Sequence, residues 1–144
     1  MVDNLNPLTR SHTMRQVRSR DTTPEMRVRG LLRELGHGGY RLHRRDLPGA
    51  PDVAWIGKRR ALFVHGCFWH GHDCQRGRRM PATNRTYWSA KIARNRARDS
   101  RMRAELDRRG WDVIVVWECE LRDPERLRQR LDARLRRAAV RSRR

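Results

Sequence analysis

A chain of 144 residues with 37% apolar and 35% charged residues and a formal net charge of +19 fits one compact domain around a small core. The charge points to a polyanionic partner, nucleic acid first. No stretch approaches the ~18 apolar residues of a membrane span, and the polar N-terminus lacks the apolar centre of a secretory signal. Lysine occurs only at Lys58 and Lys91. A GC-rich genome would explain arginine in place of lysine, but not the shortage of Asp and Glu. Three cysteines argue against a disulfide framework and for metal binding in a reducing compartment. A cytoplasmic, nucleoid-associated location is the expectation.

Residues 1–21 read as a basic arm with a short helix over 11–19. Thr23-Pro24-Glu25 starts a helix: a capping hydroxyl, Pro in the first turn and an acid at the positive end. Its stripe is Val28, Leu31, Leu32 and Leu35, and Gly36 ends it. A short edge strand over 40–43 and a turn-rich Leu47-Pro48-Gly49-Ala50-Pro51 follow. Residues 52–56 and 60–65 pair as strands about a turn at Gly57-Lys58. A loop over 66–81 carries Cys, His and aromatics. A long helix over 86–109 ends at Gly110. Val113 to Trp117 forms a buried strand, and Asp123-Pro124 caps a last helix. The domain spans 22–138, with a basic tail over 139–144. The order α-β-β-β-α-β-α predicts an α/β fold, a central mixed sheet flanked by helices.

Cys67, His72 and Cys74 lie within eight residues, and Cys119 follows the buried strand. Three thiolates and an imidazole fill a tetrahedral zinc shell and leave no open position, so such a zinc would be structural. The alternative is a buried free thiol at Cys119 with the other two incidental. Asp52, opening a strand, suits Mg²⁺ at a sheet edge, or simply caps a turn. His65 and His70 are spare histidines; one beside a cation's water could take its proton. On the long helix, at about 100° per residue, Asp99 falls within about 20° of Ile92, inside the apolar stripe and facing the core. A carboxylate there needs a partner: an arginine, a histidine or a cation's water. Glu25 falls on the margin of its own stripe. Helical geometry puts Trp88 in the core and leaves Phe68 and Trp69 open between core and base stacking.

Five segments together resemble the very-short-patch-repair (Vsr) endonucleases. They are Thr9-Arg10-Ser11 with Met14-Arg15, Arg20-Asp21-Thr22 with Glu25, Leu47-Pro48-Gly49 with Pro51-Asp52, His65-Gly66-Cys67-Phe68-Trp69-His70 through Cys74, and Val115-Val116-Trp117-Glu118-Cys119. The histidine–glycine–cysteine–phenylalanine–tryptophan–histidine run is the most specific. Pro81-Ala82-Thr83, Trp88 and Arg98-Asp99 also fit. The resemblance implies a restriction-endonuclease-like fold and a Mg²⁺-dependent nick 5′ to the thymine of a T:G mispair in double-stranded DNA. It implies that Asp52 and the Val64 carbonyl bind Mg²⁺, that His70 is the base, and that Glu25, His65 and Asp99 orient the cation's waters. Cys67, His72, Cys74 and Cys119 would hold structural zinc. Phe68, Trp69 and Trp88 would enter the base stack, which displaces the core assignment of Trp88, and Met14 would serve the arm over the minor groove. A monomer suffices for one nick. A mismatch-repair ATPase and a gap-filling polymerase are the implied partners.

Some relatives carry threonine where Val64 stands, which a main-chain ligand tolerates. No lysine occupies the place that Asp…(Asp/Glu)-x-Lys nucleases use, so His70 would cover part of that role. Two other readings stay open: a restriction-type nuclease on intact duplex, and a zinc-stabilised DNA-binding protein without catalysis.

Overall fold

The computed structural model describes residues 21–137. The expected helix over 11–19, Met14 and the 139–144 tail lie outside the described residues. Four strands, β1 (Arg41–Leu42), β2 (Val53–Trp55), β3 (Arg60–His65) and β4 (Asp112–Trp117), form one sheet in the order β1-β2-β3-β4. The first two pairings are antiparallel, and β3 runs parallel to β4 from Arg60↔Asp112 to His65↔Trp117. The sheet is mixed, as expected.

Helix α1 (Thr23–Glu34) is capped one residue earlier than expected. The Thr22 hydroxyl accepts from the Glu25 N–H at 3.4 Å, and Gly36 leaves the helix at φ +81. Its buried line is Glu25, Val28 and Leu32, so Glu25 lies on the stripe and not on its margin. A four-residue helix α2 (Gln75–Arg78), unforeseen in the loop, precedes the long α3 (Arg85–Arg108). The β2–β3 turn is centred on Gly57-Lys58 as expected: the Arg59 N–H reaches the Ile56 carbonyl, and Arg59 takes the left-handed conformation (φ +52). After β4, a 3₁₀ turn (Glu118–Arg122) leads to α4 (Pro124–Arg136), where the Asp123 carboxylate accepts from the Arg126 N–H.

Alternation along the strands divides the core between two faces. Val53, Trp55, Leu62, Ile114 and Val116 pack with Val28 and Leu32 of α1 and with Leu127, Leu131 and Leu135 of α4. The opposite face, under α3, is thinner: Ala54, Ala61, Leu106, Trp111 and Val113, with Phe63 and Val115 half-buried. By the same alternation His65 and Trp117 end their strands on the α3 face. The buried part of that face sits toward the amino ends of β3 and β4, and a cleft opens toward their carboxyl ends, lined by Phe63, His65, Val115 and Trp117. Strand β4 is accordingly buried at four of six positions, less than the full burial expected.

At the other end of the β3–β4 ladder, the first register pair is ionic. Arg60, 1% exposed, donates to Asp112 at 3.0 Å and to the carbonyls of Leu135 and Arg137 at 3.1 and 3.2 Å. Arg134 also bonds Asp112. The pair therefore ties the end of α4 to the sheet. Removing one member strands a buried charge, which costs about 3–5 kcal/mol. Urea unfolding of Asp112→Ala should show a loss of that order, and Arg60→Met/Asp112→Leu a clearly smaller one. Equal losses would mean that the pair itself, not the stranded charge, carries the stability.

Candidate active site and metal centre

The cleft, of about 870 Å³, lies between α1, α3 and the carboxyl ends of β3 and β4, and Glu25, Asp52, Val64, His65, His70 and Asp99 all line it. Asp52 reaches it through the turn-rich segment. Gly49 (φ +77) and Ala50 (φ +49) both take left-handed backbone. A Cβ at Gly49 would sit 3.1 Å from the Phe63 ring and 3.2 Å from Met102 on a left-handed backbone, so a side chain here would be crowded and strained where glycine is not. Asp52 then stands just before β2, and its Oδ2 accepts the Val64 N–H at 2.7 Å. Burial pushes the Asp52 carboxyl up to about 6 against that hydrogen bond; the Glu25 charge adds to the rise, while His43 and His70 oppose it. These four groups, far apart in the chain, thus act on one another across a single cleft.

His70 and Asp99 form the second feature. Nδ1 of His70 lies 2.6 Å from Oδ2 of Asp99. Burial works to raise the Asp99 carboxyl, but the His70 hydrogen bond and nearby positive charge outweigh it and hold it below the ordinary carboxylate range. An ionised carboxylate only accepts, so Nδ1 carries the hydrogen, and in the neutral ring the lone pair is on Nε2. Asp99 is 29% exposed. It faces the cleft and not the core, because the stripe of α3 overhangs the unfilled end of the sheet. The ring of His65 stacks on His70 at 3.8 Å and 3°. Burial, with the His70 charge, pushes His65 down to about 4, so the ring is neutral at physiological pH, and its buried Nδ1 has no partner among the described residues.

Beyond the cleft, Cys67, His72, Cys74 and Cys119 each offer a ligand atom within 4.8 Å of the others. The loop is folded by its own backbone: the His72 N–H reaches the Cys67 carbonyl at 2.9 Å, and Cys74 caps α2 by accepting from Gly77 N–H at 3.2 Å. The Cys119 N–H reaches Cys67 Sγ at 3.3 Å, and Cys119 Sγ lies 3.6 Å from His72 Nδ1. A tetrahedral ion with about 2.3 Å to sulfur and about 2.05 Å to nitrogen sets those two atoms about 3.5 Å apart. The donor set and its spacing therefore fit zinc. Burial pushes the Cys67 thiol up to about 12; a cation among these ligands would reverse that preference.

Trp117 spans the distance between the two features, stacking on His72 at 4.1 Å and meeting His65 edge-on at 5.2 Å. On the far side of the loop Phe68, Trp69, Tyr87 and Trp88 form one cluster, with ring centroids 5.0–5.7 Å apart. Phe68, Trp69 and Trp88 are half-buried, so Trp88 is not in the core. The buried Asn95 ties this loop to α3 by donating to the Trp69 carbonyl at 2.8 Å.

A family model described as DNA mismatch endonuclease Vsr matches residues 2–76. The type II nicking enzyme V.XorIIP of Xanthomonas oryzae pv. oryzae is 53% identical over 131 residues, 91% of this chain and 95% of that protein. DNA mismatch endonuclease Vsr of Escherichia coli K12 is 42% identical over 128 residues, 88% of this chain and 80% of that protein. The chain belongs to the Vsr DNA mismatch endonuclease family. It is a DNA endonuclease, and its mixed sheet with flanking helices agrees with the restriction-endonuclease-like fold.

Within this Vsr chain the cleft brings together all the expected site residues that are described, apart from the Cys/His cluster and the rings of Phe68 and Trp88, which lie outside its lining. Three residues escaped the sequence reading: His43, whose imidazole lies 3.0 Å from Glu25; Asn95, which positions the aromatic loop; and Trp117 as a bridge. Asn95 alone carried a signal, a polar residue on a buried stripe. The loop's geometry gives a direct test. A Cβ at Gly77 would lie 2.0 Å from the His72 carbonyl oxygen, backbone that cannot swing away, whereas one at Gly30, inside α1, meets nothing within 4 Å. Thermal unfolding should place Gly77→Ala well below the parent, and Gly30→Ala about 0.5–1 kcal/mol above it. A Gly77→Ala protein as stable as the parent would contradict this loop path.

Proposed function

We propose that this endonuclease nicks one strand of double-stranded DNA 5′ to the thymine of a T:G mispair, by Mg²⁺-dependent hydrolysis. Family membership and the nicking enzymes among its relatives support the reaction class. The observation that carries the mechanism is the His70–Asp99 hydrogen bond beside Asp52. Asp99 holds the Nδ1–H tautomer, so Nε2 of His70 is the proton acceptor in the cleft. Asp52 offers a hard oxygen, and the Val64 carbonyl shares a strand edge with the N–H that Asp52 accepts; one carboxylate, one carbonyl and the DNA phosphate suit Mg²⁺. A cation bound there would stabilise the phosphate's developing charge and acidify a water. As the water oxygen bonds to phosphorus, the water's proton passes to His70 Nε2 and one P–O ester bond breaks, its sugar oxygen leaving as an alkoxide that takes a proton from solvent. Glu25, Asp99 and the neutral His65 orient the water, and the neutral ring keeps a second positive charge away from the base.

Zinc in the Cys67, His72, Cys74 and Cys119 cluster is structural in this reading, since a full shell leaves no place for substrate. It braces the loop that carries Phe68 and Trp69. With Trp88 these rings wedge into the stack, at a lower cost where a mispair already weakens it. Met14 and the basic arm, residues 1–21, close over the minor groove; the 22–138 domain cuts as a monomer, and the nick passes to gap-filling and mismatch-repair proteins. No helix among the described residues is long and apolar enough to cross a membrane.

Asp52→Ala and His70→Ala should each bind a T:G duplex nearly as the parent does while nicking at least ~10²-fold more slowly. Parent-like rates in both would end the catalytic assignment, and equal nicking of T:G and matched duplexes of one sequence would favour the restriction-type alternative. Metal analysis should give about one zinc per chain and none in Cys67→Ser/Cys119→Ser. Zinc retained in that variant would place it elsewhere.

A further inference from the structure

We propose that His43 is a positioning residue of the nuclease site, holding Asp52 through its backbone and Glu25 through its imidazole. Its N–H donates to the Asp52 carbonyl at 3.2 Å. Its Nε2 lies 3.0 Å from Oε2 of Glu25 and 3.4 Å from Asp21, with the side chain 12% exposed. Glu25 is 2% exposed; the imidazole hydrogen-bonds the Asp21 carboxylate and sits in ion-pair contact with Glu25, and since carboxylates only accept, Nε2 carries a hydrogen. To make both contacts His43 adopts φ +51, a left-handed conformation that L side chains take at a cost and that concentrates at functional sites. Nothing in β1 requires it, since that strand has already ended at Leu42.

The remaining bonds show what the imidazole does. Oε1 of Glu25 accepts the Asp21 N–H at 2.9 Å, and Oε2 accepts from Arg29 at 3.3 Å with the His43 ring in contact at 3.0 Å. A carboxylate has about four acceptor sites. Two accept hydrogen bonds and the imidazole contacts Oε2, which together fix the plane of the group and leave room for a water in the cleft that Glu25 and His43 both line. Asp21, Glu25 and His43 could by distance hold a metal ion themselves. Arg29 already bonds both acids, at 2.7 and 3.3 Å, and supplies the positive charge there. The group is therefore an orienting brace and not a third metal centre. Substitution of such outer partners costs about 10–100-fold in metal affinity or activity.

This inference rests on the reading that Asp52 and Glu25 serve a cation, so its test separates the two. The readouts are kcat and KM for nicking, and Mn²⁺ binding to the resting full-length protein from loss of the free-ion paramagnetic resonance signal. His43→Leu removes the donor, His43→Asn shortens it beyond reach of Glu25, and His43→Gln keeps it. The expected result is a kcat lower by about 10–100-fold and weaker Mn²⁺ binding by about tenfold in the Leu and Asn variants. KM for DNA should be unchanged, and His43→Gln should stay within about threefold of the parent. On a Glu25→Gln background, His43→Leu should add less than about twofold, because one residue acts through the other. Parent-like Mn²⁺ binding in His43→Leu or His43→Asn, equal impairment in His43→Gln, or a fully multiplicative double variant overturns the proposal. Mn²⁺ binding that Asp52→Ala leaves untouched overturns the cation reading and this inference with it.

Discussion

Beyond the last ladder pair, His65 and Trp117, the two parallel strands each run on two residues to a cysteine, and the Cys119 N–H meets Cys67 Sγ at 3.3 Å. That register governs the rest of the site. It sets the two sulfurs side by side at the sheet's end, where the loop returns His72 and Cys74 to them. It also sets His65 on the face under α3, and Val64 with its N–H toward Asp52. A slip by one residue would turn every side chain to the opposite face, separating His65 from Asp99 and Cys67 from Cys119. The buried Arg60–Asp112 pair at the other end holds the same alignment, so the ladder is pinned at both ends by polar contacts and along its length by Leu62, Ile114 and Val116.

The site keeps two donor chemistries apart. Sulfur and one imidazole gather outside the cleft, suited to a soft or borderline ion; carboxylate and carbonyl oxygens gather inside it, suited to a hard one. Trp117 lies between them, stacked on one histidine from each side of the divide or edge-on to it. His65, pushed down to about 4 by burial, adds no charge to a cleft already bordered by arginines. One thin sheet face makes room for substrate, and the ends of β3 and β4, the long helix α3 and the loops between them share the lining of the cleft.

Helix and strand periods were legible because apolar residues are scarce here, so their spacing stands out. Val28 and Leu32, or Leu127, Leu131 and Leu135, leave little choice of face. Asp99 was found by the same period, but whether its stripe met a core or a cleft depended on what lies beyond Leu106, where His65, His70 and Val115 line open space. Arg60 and Asp112 were invisible for the opposite reason. In a chain with 35 Lys and Arg, one arginine more carries no signal, and only strand register makes that one buried. His43 shares this limit: a left-handed backbone turn places it between the Asp52 carbonyl and the Glu25 carboxylate. The left-handed Arg59 likewise answers to the hairpin's geometry and not to its own preference.

The central claim is that one register builds two separate cation sites. Anomalous diffraction from crystals soaked in Mn²⁺ tests it most directly. The account predicts a zinc peak among Cys67, His72, Cys74 and Cys119, and a distinct manganese peak against the Asp52 carboxylate and the Val64 carbonyl. Manganese seated instead between Asp21, Glu25 and His43, or zinc absent from the cysteines, would contradict it.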